Sequence, residues 1–235
     1  MGETIRKGAA VEDILADGKT TLTKAQARGG DWQTSAEARL APTLALATSI
    51  DTRILAATAA AAPALAALEA GNHSADDLLG RISDDVWNAI GRPASDVAYD
   101  ILFPGGFAYY AEGDVAEQPD RMDMLAELLL SSVHPRLAAE RAAALAAELN
   151  ASSLALRALV DAARPLRARV ELANKMKTAV AHAAQIALSN LKRAWKADGK
   201  SEADIHSVIP DRPRPRKTAA PGAPLVASPS APAST

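Results

Sequence analysis

The chain has 235 residues and no cysteine, which excludes disulfide bonds and thiolate chemistry. Aromatic residues are scarce, since three Trp, three Tyr and two Phe are the whole set. Alanine, the best helix former, supplies roughly a quarter of the chain. This composition predicts an all-α fold whose core depends on close helix approach, because each alanine buries little apolar area.

The sequence also lacks the local motifs of common catalytic and metal sites. It contains no G-x-S-x-G motif, and Pro104-Gly105-Gly106 is not followed by the Lys and Ser/Thr of a phosphate loop. No Glu-x-x-His or His-Glu-x-x-His occurs, and the four histidines fall in different segments: His73, His134, His182 and His206. We therefore expect no catalytic residues, no metal site and no cofactor, and we favour a non-enzymatic protein.

No long run of strongly apolar residues is present either. The longest apolar stretch, Leu40 to Leu68, contains Asp51 and Arg53 and owes much of its apolar character to alanine. Because a membrane-spanning helix needs about 20 strongly apolar residues, this pattern predicts a buried helix and no membrane span. Acidic residues follow the basic N-terminus before any apolar segment, so we expect no secretory signal and a cytoplasmic location.

The net charge of −2 conceals an uneven distribution. Residues 1–163 contain 13 basic and 23 acidic side chains, a balance of −10, whereas residues 164–235 contain 13 and 5, a balance of +8. The two parts either neutralise each other within the fold or present opposite charges to partners.

The spacing of apolar residues predicts a series of helices. Pro42, Pro63 and Pro165 are expected to kink or interrupt their helices, and Gly71-Asn72-His73 is expected to end one. The predicted helices cover approximately residues 3–28, 34–70, 74–90, 95–102, 119–131 and 135–197, and a last helical turn begins at Ser201.

These elements predict an elongated, mostly antiparallel bundle of four to six Ala-rich helices over residues 1–209. Residues 91–118 form an irregular, aromatic-rich insertion in this scheme. Residues 210–235, basic at first and then rich in Pro, Ala and Ser, are predicted to be a disordered tail because they cannot bury enough apolar surface to fold.

The most unusual segment of the sequence is aromatic. Six of the eight aromatic residues lie between Trp87 and Tyr110. They either close the end of an Ala-rich bundle or form a surface for a partner or a ligand. The candidate residues of this loop are Tyr99, Phe103, Gly105, Gly106, Phe107, Tyr109 and Tyr110.

A second candidate surface is a basic stripe. Its members recur at spacings of 7 and 11 residues, which return to nearly the same helical angle: Arg157, Arg164, Lys175, His182 and Arg193. Such a row could bind phosphates. No aromatic residues interleave it for base stacking, so a solvated flank, or a partner for the acidic N-terminal helices, is favoured over nucleic acid.

The function favoured by these observations is that of an assembly, adaptor or scaffold protein acting through helix faces and a flexible tail. Its expected partner is another protein or a second copy of the chain, with an anionic partner as a further possibility. Three alternatives stay open: a ligand-binding protein or enzyme with its site at residues 99–110, a nucleic-acid or polyanion binder using the basic C-terminal part, and a bundle that inserts Ala-rich helices into a membrane.

Overall fold

The structure is a computed structural model that describes residues 9–210. Within that range it contains helices and no strands, so the predicted all-α helical bundle is confirmed. The helices are α1 (Val11–Arg28), α2 (Gly30–Ala89), α3 (Val97–Leu102), α4 (Ala108–Ala111), α5 (Gln118–Leu130), α6 (Ala139–Ala197) and α7 (Glu202–Val208). The start of the predicted first helix and the predicted disordered tail lie outside the described residues.

Helix α2 is one element of 60 residues, and the prediction of two helices separated at residues 71–73 is wrong. Pro42 and Pro63 do not interrupt it. A proline leaves the carbonyl of the residue four positions earlier without its helical donor. Those residues are Ala38 and Ala59, and both are exposed, so water can replace the missing donor. Pro165 lies within α6 in the same way, at an exposed position.

Gly71 serves close packing rather than helix termination. A Cβ atom at this position would lie 2.4 Å from Leu159 Cδ1 of α6, so only glycine fits there without a shift of the leucine. Ser74 does not cap a new helix, because its Oγ donates to the carbonyl of Ala70 within α2. The sequence signals for a break were therefore signals for a close approach between helices.

The contacts divide the described residues into two compact units, residues 9–44 with 181–210 and residues 45–180. The first unit contains α1, α7, the beginning of α2 and the end of α6. Its largest fully buried side chain is Trp195, whose Nε1 donates to Ser35 Oγ at 2.7 Å. The ring of Trp32 lies 4.4 Å from that of Trp195, and the Arg28 guanidinium lies 4.8 Å from the Trp32 ring.

The second unit, residues 45–180, is built on antiparallel pairing of α2 with α6. Asp51 of α2 pairs with Lys177 of α6 at 2.9 Å, and Asp85 near the end of α2 pairs with Arg141 near the start of α6 at 2.9 Å. Helices α3, α4 and α5 complete this unit. Its core is formed by buried side chains from α2, the aromatic segment, α5 and α6: Leu79, Ile82, Val86, Leu102, Phe103, Tyr110, Met122, Leu125, Leu145 and Leu149.

Candidate interaction surfaces

The aromatic loop contributes two of its rings to the core of the second unit. Phe103 and Tyr110 are 1% and 0% exposed. The Tyr110 hydroxyl donates to the carbonyl of Leu102 at 2.7 Å, and burial raises the pKa of this phenol to about 12. Half-buried Tyr99 shares a hydrogen bond of 2.7 Å with Ser83 Oγ on α2. These residues attach the loop firmly to α2.

The remaining candidate residues of the loop face outward. Phe107 and Tyr109 are 42% and 49% exposed, although the Phe107 ring still lies against Gly80 of α2. Gly105 and Gly106 form the turn between α3 and α4 with φ angles of 77° and 94°, which side chains rarely adopt. The loop thus has an inner half built into the core and an outer half open to contacts, and its use as a binding surface stays a prediction.

One carboxylate, Asp96, anchors the start of this loop. Its Oδ1 accepts from the amides of Ala98 and Tyr99, which caps α3. His134 Nε2 lies 3.2 Å from the same oxygen, and the Arg136 guanidinium donates to Oδ2. The Tyr99 amide, with further help from Arg136 and His134, lowers the pKa of Asp96 to about 2.

Sequence reasoning missed this cluster because Asp96 lies 38 residues before His134 and 40 before Arg136 in the chain. The buried His134 ring accepts the amide of Arg136 at Nδ1, at 3.2 Å, and its Nε2 lies 3.2 Å from Asp96 Oδ1. The only local signal was the predicted junction at His134-Pro135. The cluster therefore fixes the aromatic loop to the segment between α5 and α6.

The residues of the predicted basic stripe have different surroundings. Arg157 is bound within the second unit, with its guanidinium 2.8 Å from Asp120 and 2.7 Å from Asp123 of α5. Arg164, in the same unit, lies 3.6 Å from Asp161 on its own helix. The other three members are exposed, Lys175 in the second unit and His182 and Arg193 in the first. Within residues 9–210 no hydrogen bond or ion pair joins these five residues to one another, and their role in partner binding stays a prediction.

A further surface, which the sequence analysis assigned to the core, lies on α2 between residues 54 and 71. At 100° per residue, its exposed apolar side chains fall within about 160° of arc, on the side of α2 opposite the buried Ala61 and Leu68. We call this surface the open α2 face. It consists of Leu55, Ala56, Ala59, Ala60, Ala62, Pro63, Ala66, Ala67 and Ala70.

The prediction that the chain has no membrane span is wrong as stated. Among residues 9–210, α2 and α6 are both long enough and apolar enough, by length and composition, to cross a membrane. In the most apolar 18-residue stretch of α2 only 11% of the residues are buried, against 33% in that of α6. The error came from treating the apolar stretch of α2 as a buried helix, whereas its partner α6 covers one side of it and leaves the other side open.

Across residues 9–210, no group of three or more His, Asp or Glu side chains is placed to hold a metal ion. Comparisons of the chain with protein-family models, with curated proteins and with solved structures give no match. The function must therefore be argued from the surfaces themselves.

Proposed function

We propose that this chain is a non-enzymatic assembly, adaptor or scaffold protein that acts by packing a further helix onto the open α2 face. The supporting observation is the exposure of nine uncharged, mostly alanine residues on that face over more than four helical turns, with a single charged residue, Glu69, at its edge. A helix that is apolar on all sides is normally covered on all sides. An exposed apolar patch of this extent is typical of an interaction site.

The composition of the face indicates what kind of partner it suits. Its side chains are nearly all alanine, so a second helix can approach to the short end of the usual 8–10 Å interaxial range. Each alanine contributes little buried area, at about 25 cal/mol per Å². A partner must therefore contact the face along most of its length, roughly 27 Å at 1.5 Å per residue. A helix meets that requirement, whereas a loop does not.

Membrane insertion of the same stretch is the second candidate, and the length and apolar composition of α2 favour it. The antiparallel pairing places charged residues of α6, among them Arg164, Arg167 and Lys175, beside this part of α2. Each such residue costs about 2.5–3.5 kcal/mol at the centre of a bilayer. A protein partner can leave these charges in water or pair with them, and we therefore favour protein assembly.

The test is sedimentation equilibrium of the purified full chain, combined with flotation on vesicles of phosphatidylcholine and phosphatidylglycerol. We expect the wild-type chain to form a defined oligomer without vesicles. The double variant Leu55→Glu/Ala62→Glu should be monomeric and should keep the wild-type helical content by circular dichroism, because both side chains are exposed. The matched control is Ala144→Glu, at an exposed position of α6, which should leave the oligomer intact.

Two results would contradict assembly through this face. In the first, the wild-type chain floats with vesicles and stays monomeric in solution, and the double variant no longer floats. This result would support membrane insertion instead. The second is an oligomer that both the double variant and the control retain, which would place the contact elsewhere on the molecule.

A further inference from the structure

The second unit contains a groove that is distinct from the open α2 face. It lies between α2 and α6 where the segment before α5 crosses them, and it comprises cavities of about 210 Å³ and about 350 Å³. Both cavities are lined by Leu68, Val115 and Arg167, so they adjoin. None of their lining residues belongs to the open α2 face.

The floor of the groove is apolar and is part of the hydrophobic core. Leu68 and Val160 are 6% exposed, Ala163 is 2% exposed, and half-buried Val115 lines both cavities. An apolar cavity of roughly 150 Å³ is large enough to bind benzene. The smaller of the two cavities here exceeds that volume, so the floor can accept a short hydrocarbon chain.

Two arginines, Arg164 and Arg167, also line the smaller cavity, one helical turn apart on α6. Arg164 lies 3.6 Å from Asp161, a longer distance than a direct hydrogen bond. Arg167 has no ion pair within residues 9–210, although it lines both cavities. Guanidinium groups match carboxylates in a bidentate geometry, so this part of the groove suits an anionic headgroup.

Two carboxylates, Glu171 and Glu69, also line the groove, one in each cavity. These carboxylates restrict the charge of the ligand, because they would repel a second negative charge on its headgroup. A monoanion is therefore preferred over a dianionic phosphate, and a cation would be opposed by the two arginines. The ligand that meets all these conditions has a single carboxylate and a short apolar chain.

We propose that this groove binds a free medium-chain fatty acid, with its carboxylate on Arg167 and Arg164 and its chain on Leu68 and Val115. This inference does not depend on the proposed assembly function, because the two surfaces share no residue. The occupant is the free acid rather than a phospholipid.

The experiment is isothermal titration of the full chain with decanoate at low ionic strength, with 1-decanol and decyl phosphate as comparison probes. Saturable binding of decanoate is expected, with weaker binding of both comparison probes. Arg167→Gln should weaken decanoate binding about ten- to hundredfold, the effect of losing a hydrogen bond to a charged group. Arg169→Gln, a neighbouring exposed position that lines neither cavity, is the matched control and should bind like wild type.

Four results would overturn the proposal. They are no saturable binding of decanoate at millimolar concentration, equal binding of 1-decanol, tighter binding of decyl phosphate, and equal losses in Arg167→Gln and Arg169→Gln. Circular dichroism of each variant verifies that it is folded before titration. Both substitutions are at exposed positions, so folding should be retained.

Discussion

Residues 72–89 and residues 54–71 are adjoining parts of α2 in the second unit. They differ in how strongly the residue types on the inner side of the helix contrast with those on its outer side. In 72–89 the inner side carries large, fully buried residues such as Leu79 and Ile82, while the outer side carries charges such as Asp77 and Arg81. In 54–71 the inner side carries three large apolar residues, Ile54, Leu65 and Leu68, with smaller residues between them, and the outer side is mostly alanine. The first part is a normal amphipathic helix, whereas the second is apolar on both sides and has more of its large side chains on the inner side.

This difference in side-chain size indicates how much each part of α2 contributes to the stability of the second unit. Complete burial of a leucine or isoleucine is worth about 1.5–3 kcal/mol, and alanine buries a much smaller area. Residues 72–89, together with the aromatic loop and α5, therefore supply much of the stability of the second unit. Residues 54–71 pack against α6 on one side only, and the open α2 face on their other side stays available for another contact. The predictions below test this contrast.

The largest effect is expected from Phe103→Ala, which removes a ring that is 1% exposed in the dense part of the second unit. The loss of packing and the resulting cavity should lower the free energy of unfolding by about 3–5 kcal/mol. Chemical denaturation monitored by circular dichroism measures this change. Phe107→Ala, at a ring 42% exposed on the same loop, is the control and should cost clearly less. Equal effects for the two rings would show that Phe103 is not part of the core.

A matched pair on α2 itself compares the two parts directly. Leu79 is fully buried, so Leu79→Ala should destabilise the fold by about 2–5 kcal/mol. Leu55 is 72% exposed, so Leu55→Ala should change the stability of the monomer by about 0.5 kcal/mol or less. Both changes are measured by denaturation at a concentration where the chain is monomeric. A large loss for Leu55→Ala would mean that residues 54–71 are covered within the monomer.

A smaller effect, confined to acid, is expected at Asp96. Its pKa falls from the usual 3.8 to about 2 in the folded chain, so the unfolded state binds more protons between these values. The stabilisation is complete above about pH 4 and is lost as the pH falls through about 2. Asp96→Asn keeps the helix cap, since Asn caps as well as Asp. The free energy of unfolding of this variant should therefore decrease less between about pH 4 and about pH 2 than that of the wild type.

The control for this experiment is Asp100→Asn, an exposed carboxylate on the same short helix. Unfolding free energies measured from pH 5 to pH 2 should follow the wild-type curve in the control and depart from it in Asp96→Asn. Identical curves for the two variants would show that the Tyr99 amide, Arg136 and His134 do not favour the charged form of Asp96.

Much of the helical content was predictable, because it depends on local spacing and propensity. The end of α1 at Arg28 and the cap of α7 by Ser201 agree with their sequence signals, and Ser201 Oγ accepts from the amide of Asp204 at 3.1 Å. The break predicted at residues 71–73 failed because glycine has two uses, in turns and at close contacts. Only the position of Leu159 on another helix decides between them.

The candidate surfaces were predictable in part. The aromatic cluster was visible as a composition, but which of its rings turn inward depends on contacts with Ser83, Gly80 and Leu102. The spacing of the basic residues was visible too, yet the pairing of Arg157 with two aspartates of α5 was not. The groove with Arg167 had no sequence signal, because its lining comes from three separate segments.

The sequence by itself determined that this protein is α-helical, because alanine-rich segments with apolar residues at helical spacing favour helix through interactions within a few residues. It also determined which residues carry charge and where aromatic side chains are concentrated. Only the tertiary structure decided which side of each helix is covered. In residues 54–71 the spacing of Ile54, Leu65 and Leu68 indicates the inner side. The exposure of the opposite side depends on the antiparallel pairing of α2 with α6, which covers one side of α2 only, because that pairing joins residues far apart in the chain.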